Sequence, residues 1–223
     1  MADQADSLPL VQSHILLTSF NTFLTVAIHN ILYYRRLYPQ STFLSTRAYN
    51  LPAHQNRHPK VCTWITDAVS SVASQLSTGQ VSRIAVDSCS ETTRDILLDH
   101  PALNTVDLNE QFRACLIKMA HAMEGLSSIP KGCTFTLAVE LKDEAAAPIG
   151  VDWIPAEPSG PSSTDRKAKG RDIHPPSRAE TAATLKTTPV RVVEAGPLWF
   201  ECWVEESRAK VALMETNPSH GSV

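Results

Sequence analysis

The sequence predicts an α+β domain in which three main helices pack on a largely antiparallel sheet. Two patterns predict this class. In three long segments, apolar residues recur at three- and four-residue steps, which is typical of amphipathic helices. In several shorter segments they alternate with polar residues, which is typical of strands with one buried face. With 223 residues and 43% hydrophobic side chains, the chain can bury one core and leave some unstructured length.

Each helix is predicted from its apolar face and from the residues at its ends. The first spans 11–37 and ends before a proline, which cannot continue a helix. The second spans 58–79, with Pro59 suited to the first turn. The third extends to about residue 126, and either Asp107 or Asn109 can cap its beginning.

The strands are predicted from alternation. The clearest covers 133–141, where Cys, Phe, Leu, Val and Leu alternate with smaller or polar residues. A shorter strand covers 81–86, with a hairpin partner over 95–99. Two more strands, over 190–193 and 198–204, end the structured part of the chain. They follow a long polar insertion and therefore must pack back on the main body.

The insertion itself, residues 158–189, is rich in Pro, Ser, Thr, Ala and charge. Such a segment buries too little apolar surface to offset its ordering entropy, so a flexible loop is predicted. Its basic cluster at 166–171 is open to two interpretations, a nuclear address and a solvated linker. The ends, 1–10 and 211–223, are also predicted to be disordered.

Composition and motifs narrow the function. A net charge of −3 without a clustered basic face argues against direct binding of nucleic acid. We expect no membrane segment, because no uninterrupted apolar run reaches roughly 18 residues. Five cysteines without a C-x-x-C pair favour a reduced, intracellular protein. His58 and Cys62 have helical spacing but lack two further ligands, so no metal or cofactor site is expected.

No enzyme is expected either, because the sequence carries none of the common hydrolase, nucleotide or zinc-protease motifs. His29 on the first helix is predicted to be a satisfied or surface histidine. A Cys-His hydrolase assembled from distant residues remains an alternative.

Two of the four tryptophans lie beside the predicted core. Trp64 flanks the apolar face of the second helix and Trp153 begins the segment after the core, and both could simply fill the core. On the last strand, Trp199 and Trp203 fall on the face opposite the apolar residues. Either a partner or the loop over 158–189 should cover them.

The element order and four short motifs resemble the HORMA family, in particular the accessory subunits of the translesion DNA polymerase zeta. The motifs are Tyr-Asn-Leu-Pro at 49–52, His-Pro at 58–59, Gly-Cys-Thr-Phe-Thr at 132–136 and Trp-Val-Glu-Glu at 203–206. The resemblance covers about 10–154 and 187–210. The hairpin over 81–99 is poorer in aromatic and β-branched residues than the family pattern, and the loop over 158–189 diverges completely.

The resemblance implies a HORMA domain over 11–210, with a core over 11–143. It also implies a C-terminal "seatbelt" over 144–210 that closes over a partner peptide. The peptide would lie extended beside the strand over 133–141, adding to the sheet through main-chain hydrogen bonds. In the family, aromatic residues at the positions of Trp64 and Trp153 hold prolines of the peptide, for which flat indole rings are suited. The implied peptide-binding residues are Tyr38, Trp64, Trp153, Thr134, Thr136 and Ala138.

The resemblance also implies the partners. The peptide would belong to the catalytic subunit of polymerase zeta. A Rev-one-type translesion polymerase would bind the outer face of the last strand, at Thr187, Trp199, Glu201 and Trp203. Arg113 and Lys118 on the third helix would serve pairing with a HORMA domain, or are ordinary solvated charges. A remodelling AAA+ ATPase and a nuclear location are implied, and a spindle-checkpoint or meiotic-axis adaptor binding a closure motif is the alternative function.

Overall fold

The computed structural model describes residues 10–87, 91–98, 103–129, 133–142, 153 and 185–207. Over these ranges the chain forms three α-helices on one face of a five-stranded antiparallel sheet, which confirms the predicted class. The helices are α1 (Leu10–Tyr34), α2 (Pro59–Ser77) and α3 (Thr105–Glu124). The strands are β1 (Phe43–Ala48), β2 (Leu51–Asn56), β3 (Val81–Asp87), β4 (Glu91–Leu98), β5 (Thr136–Leu141), β6 (Leu185–Ala195) and β7 (Leu198–Ser207).

The large sheet has the order β5-β3-β4-β7-β6, so β5 and β6 occupy opposite ends. The helices bury its inner face, and α1 lies at the centre of the core against both α2 and α3. Phe23 of α1 stacks on Phe112 of α3 at 4.4 Å between ring centroids, and Phe200 of β7 lies 5.8 Å from Phe23. Such aromatic pairs contribute about 0.5–1.5 kcal/mol beyond their area burial.

Helix α1 is also long and apolar enough to cross a membrane, judged by length and composition alone, which the sequence analysis did not expect. More than half of this stretch is buried inside the fold. Its apolar side chains are therefore used in the core. It ends three residues earlier than predicted, because Arg36 adopts a left-handed conformation (φ 54°) and Leu37 N–H bonds back to the Leu32 carbonyl.

A small hairpin of β1 and β2 was missed by the sequence analysis, which predicted a loop there. Its two-residue turn, Tyr49 and Asn50, has positive φ at both positions, and the usual Asn-Gly signal is absent. Tyr49 tolerates this conformation because its ring packs on Phe112 at 5.9 Å. Burial raises the pKa of the Tyr49 hydroxyl to about 12.

Two polar side chains of α1 hold this hairpin in place. Asn30 Oδ1 accepts a hydrogen bond from the His54 backbone N–H at 2.9 Å. His29 Nδ1 accepts one from the Asn56 backbone N–H at 3.3 Å. His29 is therefore a satisfied histidine, as predicted, and burial lowers its pKa.

Other boundaries differ from the predicted ones. Asn104, and not Asp107 or Asn109, caps α3, since its Oδ1 accepts from the Val106 and Asp107 N–H groups. Strand β4 begins four residues earlier than predicted, and β5 begins at Thr136 instead of 133.

Strand β6 extends over 185–195, so residues 185–189 are strand and not part of the predicted flexible loop. Pro189 is tolerated because β6 is the last strand of the sheet and needs no outward N–H. The predicted disordered segments 1–9 and 211–223, and loop residues 158–184, lie outside the described residues.

We predict that lowering the pH reduces the free energy of unfolding, because the fold holds His29 in its neutral form. Its pKa is lowered from 6.5 in the fold. Below about pH 6.5 the unfolded chain therefore binds more protons than the folded one, and the free energy of unfolding decreases as pH falls. Urea unfolding at about pH 7.5 and about pH 5.5 should show a difference that His29→Asn reduces, since Asn can still accept from Asn56 N–H. The exposed His14→Asn is the control; equal pH dependence in all three proteins would contradict the prediction.

Candidate protein-interaction site

Strand β5 has β3 on one side and no strand on the other among the described residues. Lys142 N–H donates to the Gln80 carbonyl at 2.8 Å, so this residue faces β3. The N–H and C=O groups of successive residues alternate sides along a strand. Those of Leu137, Val139 and Leu141 therefore point away from β3, to the open side. An open strand edge of this kind is a template for an added strand.

An aromatic pocket lies beside the beginning of this edge. It has a volume of about 240 Å³ and is open to solvent. Its lining residues come from the end of α1, the first turns of α2 and the approach to β5: Tyr38, His58, Lys60, Val61, Trp64, Thr134 and Phe135. Three of the predicted peptide-binding residues, Tyr38, Trp64 and Thr134, are thereby brought together.

Phe135 organises the pocket and was missed as a site residue. Its ring meets Trp64 edge-on at 4.7 Å and Tyr38 edge-on at 6.4 Å. The sequence analysis assigned Phe135 to the buried face of a strand, and its side chain does pack against the core, although β5 begins one residue later. The same side chain also lines the pocket, which alternation alone does not predict. Trp64 is 40% exposed, which leaves its ring accessible to a ligand.

The other three predicted peptide-binding residues, Thr136, Ala138 and Trp153, do not line the pocket. Thr136 and Ala138 are on β5, but the alternation directs their main-chain groups toward β3. They could meet an added strand only through their side chains. Trp153 is half-buried and packs on the hydrophobic core, and it is not among the residues lining the pocket.

The hairpin of β6 and β7 presents the second candidate surface, at the far end of the sheet. Along β7, residues 198, 200, 202 and 204 are buried, whereas Trp199 and Trp203 are half-buried and Glu201 is exposed, as predicted. Thr187 is exposed on β6, and Val192, opposite Glu201, is 47% exposed. The four predicted residues therefore share one hairpin.

A charged network fastens this hairpin to the rest of the sheet. Glu205 of β7 accepts hydrogen bonds from Arg83 Nη2 of β3 at 3.0 Å and from Trp203 Nε1 at 2.8 Å. Arg83 also lies 5.5 Å from the Trp203 ring and pairs with Glu140 of β5 at 3.4 Å. Glu205 is only 8% exposed, so its charge depends on these partners. We call these four residues the Arg83 clasp.

A second tie lies at the end of β7. Arg35, buried at the end of α1, donates to the Ser127 carbonyl at 2.8 Å, and Ser127 Oγ donates to Glu206 of β7. Burial lowers the pKa of Arg35 and the nearby Glu206 raises it, with burial the larger cause. The C-terminal hairpin is thus anchored both to the sheet and to α1.

The predicted pairing residues lie on α3. Arg113 is half-buried and forms an ion pair with Glu110 at 3.4 Å, whereas Lys118 is exposed. The same helix carries two exposed apolar side chains, Val106 and Ile117. Arg113 and Lys118 remain predicted pairing residues.

Comparisons with known proteins support a specific family, although no family model matches the chain. The chain is 34% identical over 212 residues to the DNA polymerase zeta processivity subunit of Schizosaccharomyces pombe, covering 84% of this chain and 91% of that protein. It is 28% identical over 135 residues to the mitotic spindle assembly checkpoint protein MAD2B of Homo sapiens, covering 55% of this chain and 64% of that protein.

Solved structures share the fold at low identity. A chain from the crystal structure of the mitotic checkpoint complex superposes with a TM-score of 0.69 at 15% identity, covering 87% of this chain and 96% of that chain. The Caenorhabditis elegans protein HTP-2, bound to a HIM-3 closure motif, gives 0.63 at 8% identity, covering 87% and 91%. By its fold and by its identity to the Schizosaccharomyces pombe subunit, the chain belongs to the HORMA-domain family of DNA polymerase zeta processivity subunits.

Proposed function

We propose that the chain is a non-catalytic adaptor that captures a proline-containing peptide of the polymerase zeta catalytic subunit along the open edge of β5. The edge carries the proposal, because Leu137, Val139 and Leu141 offer main-chain hydrogen bonds to an extended peptide. The pocket of Tyr38, Trp64 and Phe135 lies where that peptide would begin or end. Its flat rings can hold a proline with little loss of side-chain entropy.

The position of the C-terminal hairpin supports this proposal. The chain leaves β5 at one end of the sheet and returns as β6 at the other end. The intervening segment, of which Trp153 is the described residue, would pass across a bound peptide as the seatbelt. Release of the peptide would then require the hairpin to leave β4, so dissociation should be slow.

The outer face of β6 and β7 would bind a Rev-one-type translesion polymerase. The peptide and this second partner would then be held at opposite ends of one sheet, bridging two polymerases in translesion synthesis and DNA damage tolerance.

We also propose that the adaptor works in the nucleus, that α3 mediates pairing with a HORMA domain through Arg113 and Lys118, and that an AAA+ ATPase reopens it.

A checkpoint or meiotic-axis adaptor is the second candidate function. The MAD2B relatives and the closure-motif complexes among the similar structures favour it. Affinity purification from cell extract with partner identification by mass separates the two. We expect the polymerase zeta catalytic subunit; capture of a checkpoint activator or an axis protein alone would favour the second candidate.

We predict that Trp64→Ala weakens binding of a proline-containing peptide of the catalytic subunit by about ten- to a hundredfold, because it removes the exposed ring that would hold the proline. Trp153→Ala should also weaken it, while the protein still melts cooperatively. Fluorescence-polarisation titration measures both. The exposed neighbour Thr63→Ala is the control, and unchanged affinity in Trp64→Ala would count against the site.

We predict that Trp199→Ala weakens binding of the Rev-one-type C-terminal domain by about tenfold and leaves peptide affinity unchanged, since Trp199 lies outside the Arg83 clasp. Trp203→Ala should weaken the same contact. It should also lower the free energy of unfolding by about 1–2 kcal/mol, because it removes a cation–π contact and a hydrogen bond. Arg47→Ala, at an exposed position on β1, is the control. Loss of both partners in Trp199→Ala would indicate a structural role instead.

We predict that Arg83→Met speeds peptide release severalfold, because the C-terminal hairpin loses its tie to β3 and the buried Glu205 loses a charged partner at a cost of about 1.5–3 kcal/mol. Chase experiments with unlabelled peptide measure the dissociation rate. Arg47→Met, which makes the same change of charge at an exposed position on β1, is the control. Equal dissociation rates in the two variants would show that the clasp does not limit opening.

A further inference from the structure

One positive charge, that of Lys60, lies at the rim of the aromatic pocket. Lys60 lines the pocket and is exposed, as is the neighbouring His58. The lining, all of it within the described residues, holds no acidic side chain. No described residue forms an ion pair with Lys60 within 4.0 Å, although Arg83 and Arg113 form such pairs elsewhere in the described ranges. The pocket therefore combines an apolar floor with an unpaired cation.

Lys60 is held at this rim by the start of α2. Pro59 occupies the first turn, and His58 precedes it in an extended conformation, with its backbone N–H bonded to Asn56 Oδ1 at 2.8 Å. Val61 and Trp64, one and four residues after Lys60, also line the pocket. Residues three and four apart share a helix face, so a ligand in this pocket can contact both Lys60 and Trp64.

We propose that the peptide accepted here carries an anionic side chain, either a carboxylate or a phosphorylated Ser or Thr, within about two residues of the proline held by the rings. This inference rests on the proposed function. Successive residues of an extended peptide are about 3.3 Å apart, so only those next to the anchored proline are within reach of the Lys60 side chain. Lys60 is then the residue that selects charge, while the aromatic rings select shape.

Because the rim is solvated, the effect of charge is moderate. An exposed ion pair is worth about 0.2–1 kcal/mol, which corresponds to about a 1.5- to fivefold change in affinity. A phosphate carries nearly two charges and should gain more than a carboxylate. Both gains should shrink as salt is added, since ions screen exposed charges. A lysine at the same peptide position should be disfavoured by a similar factor.

The test uses one proline-containing peptide of the catalytic subunit in versions with Ser, Glu, phosphoserine or Lys at each position flanking the proline. Affinities are measured with the full chain and with Lys60→Glu, Lys60→Met and Arg47→Glu. With the unsubstituted chain we expect Glu and phosphoserine to bind tighter than Ser, and Lys weaker, at one or more positions. Lys60→Glu should reverse this order and Lys60→Met should flatten it. Arg47→Glu, which makes the same change of net charge at an exposed position on β1, should leave the order intact.

The outcomes separate the two ideas. If the Ser peptide binds but charge has no effect, or if Lys60→Glu keeps the original order, the inference about charge is overturned and the proposed adaptor function stands. If no version binds the unsubstituted chain, the proposed function fails and the inference with it. A gain for phosphoserine alone supports the inference with phosphate as the source of the anion, and a gain for both supports the carboxylate as sufficient.

Discussion

The open backbone edge of β5 is the constraint on which the rest of the structure depends. A strand with unpaired main-chain groups will pair with whatever extended segment is available, including the protein's own C-terminal hairpin. That hairpin is held away because β7 pairs with β4 from Leu198 to Glu205, at the other end of the sheet. Packing of Phe200 of β7 against Phe23 of α1 buries apolar surface and stabilises the hairpin in this position. Within the described residues, one edge of the sheet therefore stays unpaired while the C-terminal hairpin occupies the other.

Charged groups connect the two ends of the sheet. The Arg83 guanidinium forms ion pairs with Glu140 on β5 and with Glu205 on the C-terminal hairpin, so a shift of either strand changes the contacts of the same side chain. Such a shared side chain offers a physical route by which occupation of one end could influence the other. The Trp203 ring, which packs against the same guanidinium, belongs to the surface assigned to the second partner.

The sequence predicted the elements whose signals are local and periodic, and it failed where tertiary contacts decide. The three helices and the alternation of β7 follow from apolar spacing alone. The hairpin of β1 and β2 does not, because Tyr49 enters a left-handed turn only when its ring can pack on Phe112. Phe135 was correctly assigned to the buried face, but its further contacts with Trp64 and Tyr38 join segments far apart in the sequence, and alternation along one strand cannot predict them. Tyr38 and Trp64 were predicted through the family resemblance, whereas their packing around Phe135 is visible only in the three-dimensional structure.

The two edges of the sheet differ in a way that limits self-association. If both were equally receptive, β5 of one molecule could pair with β6 of the next, and copies would join into an open-ended fibre. Pro189 has no main-chain N–H to donate, and the ladder of β6 and β7 shifts register between Pro189 and Arg191. Both features make this part of β6 a poorer template for an added strand than β5. Among the described residues, the sheet therefore offers one regular edge and one interrupted edge, which disfavours end-to-end stacking of copies through their strands.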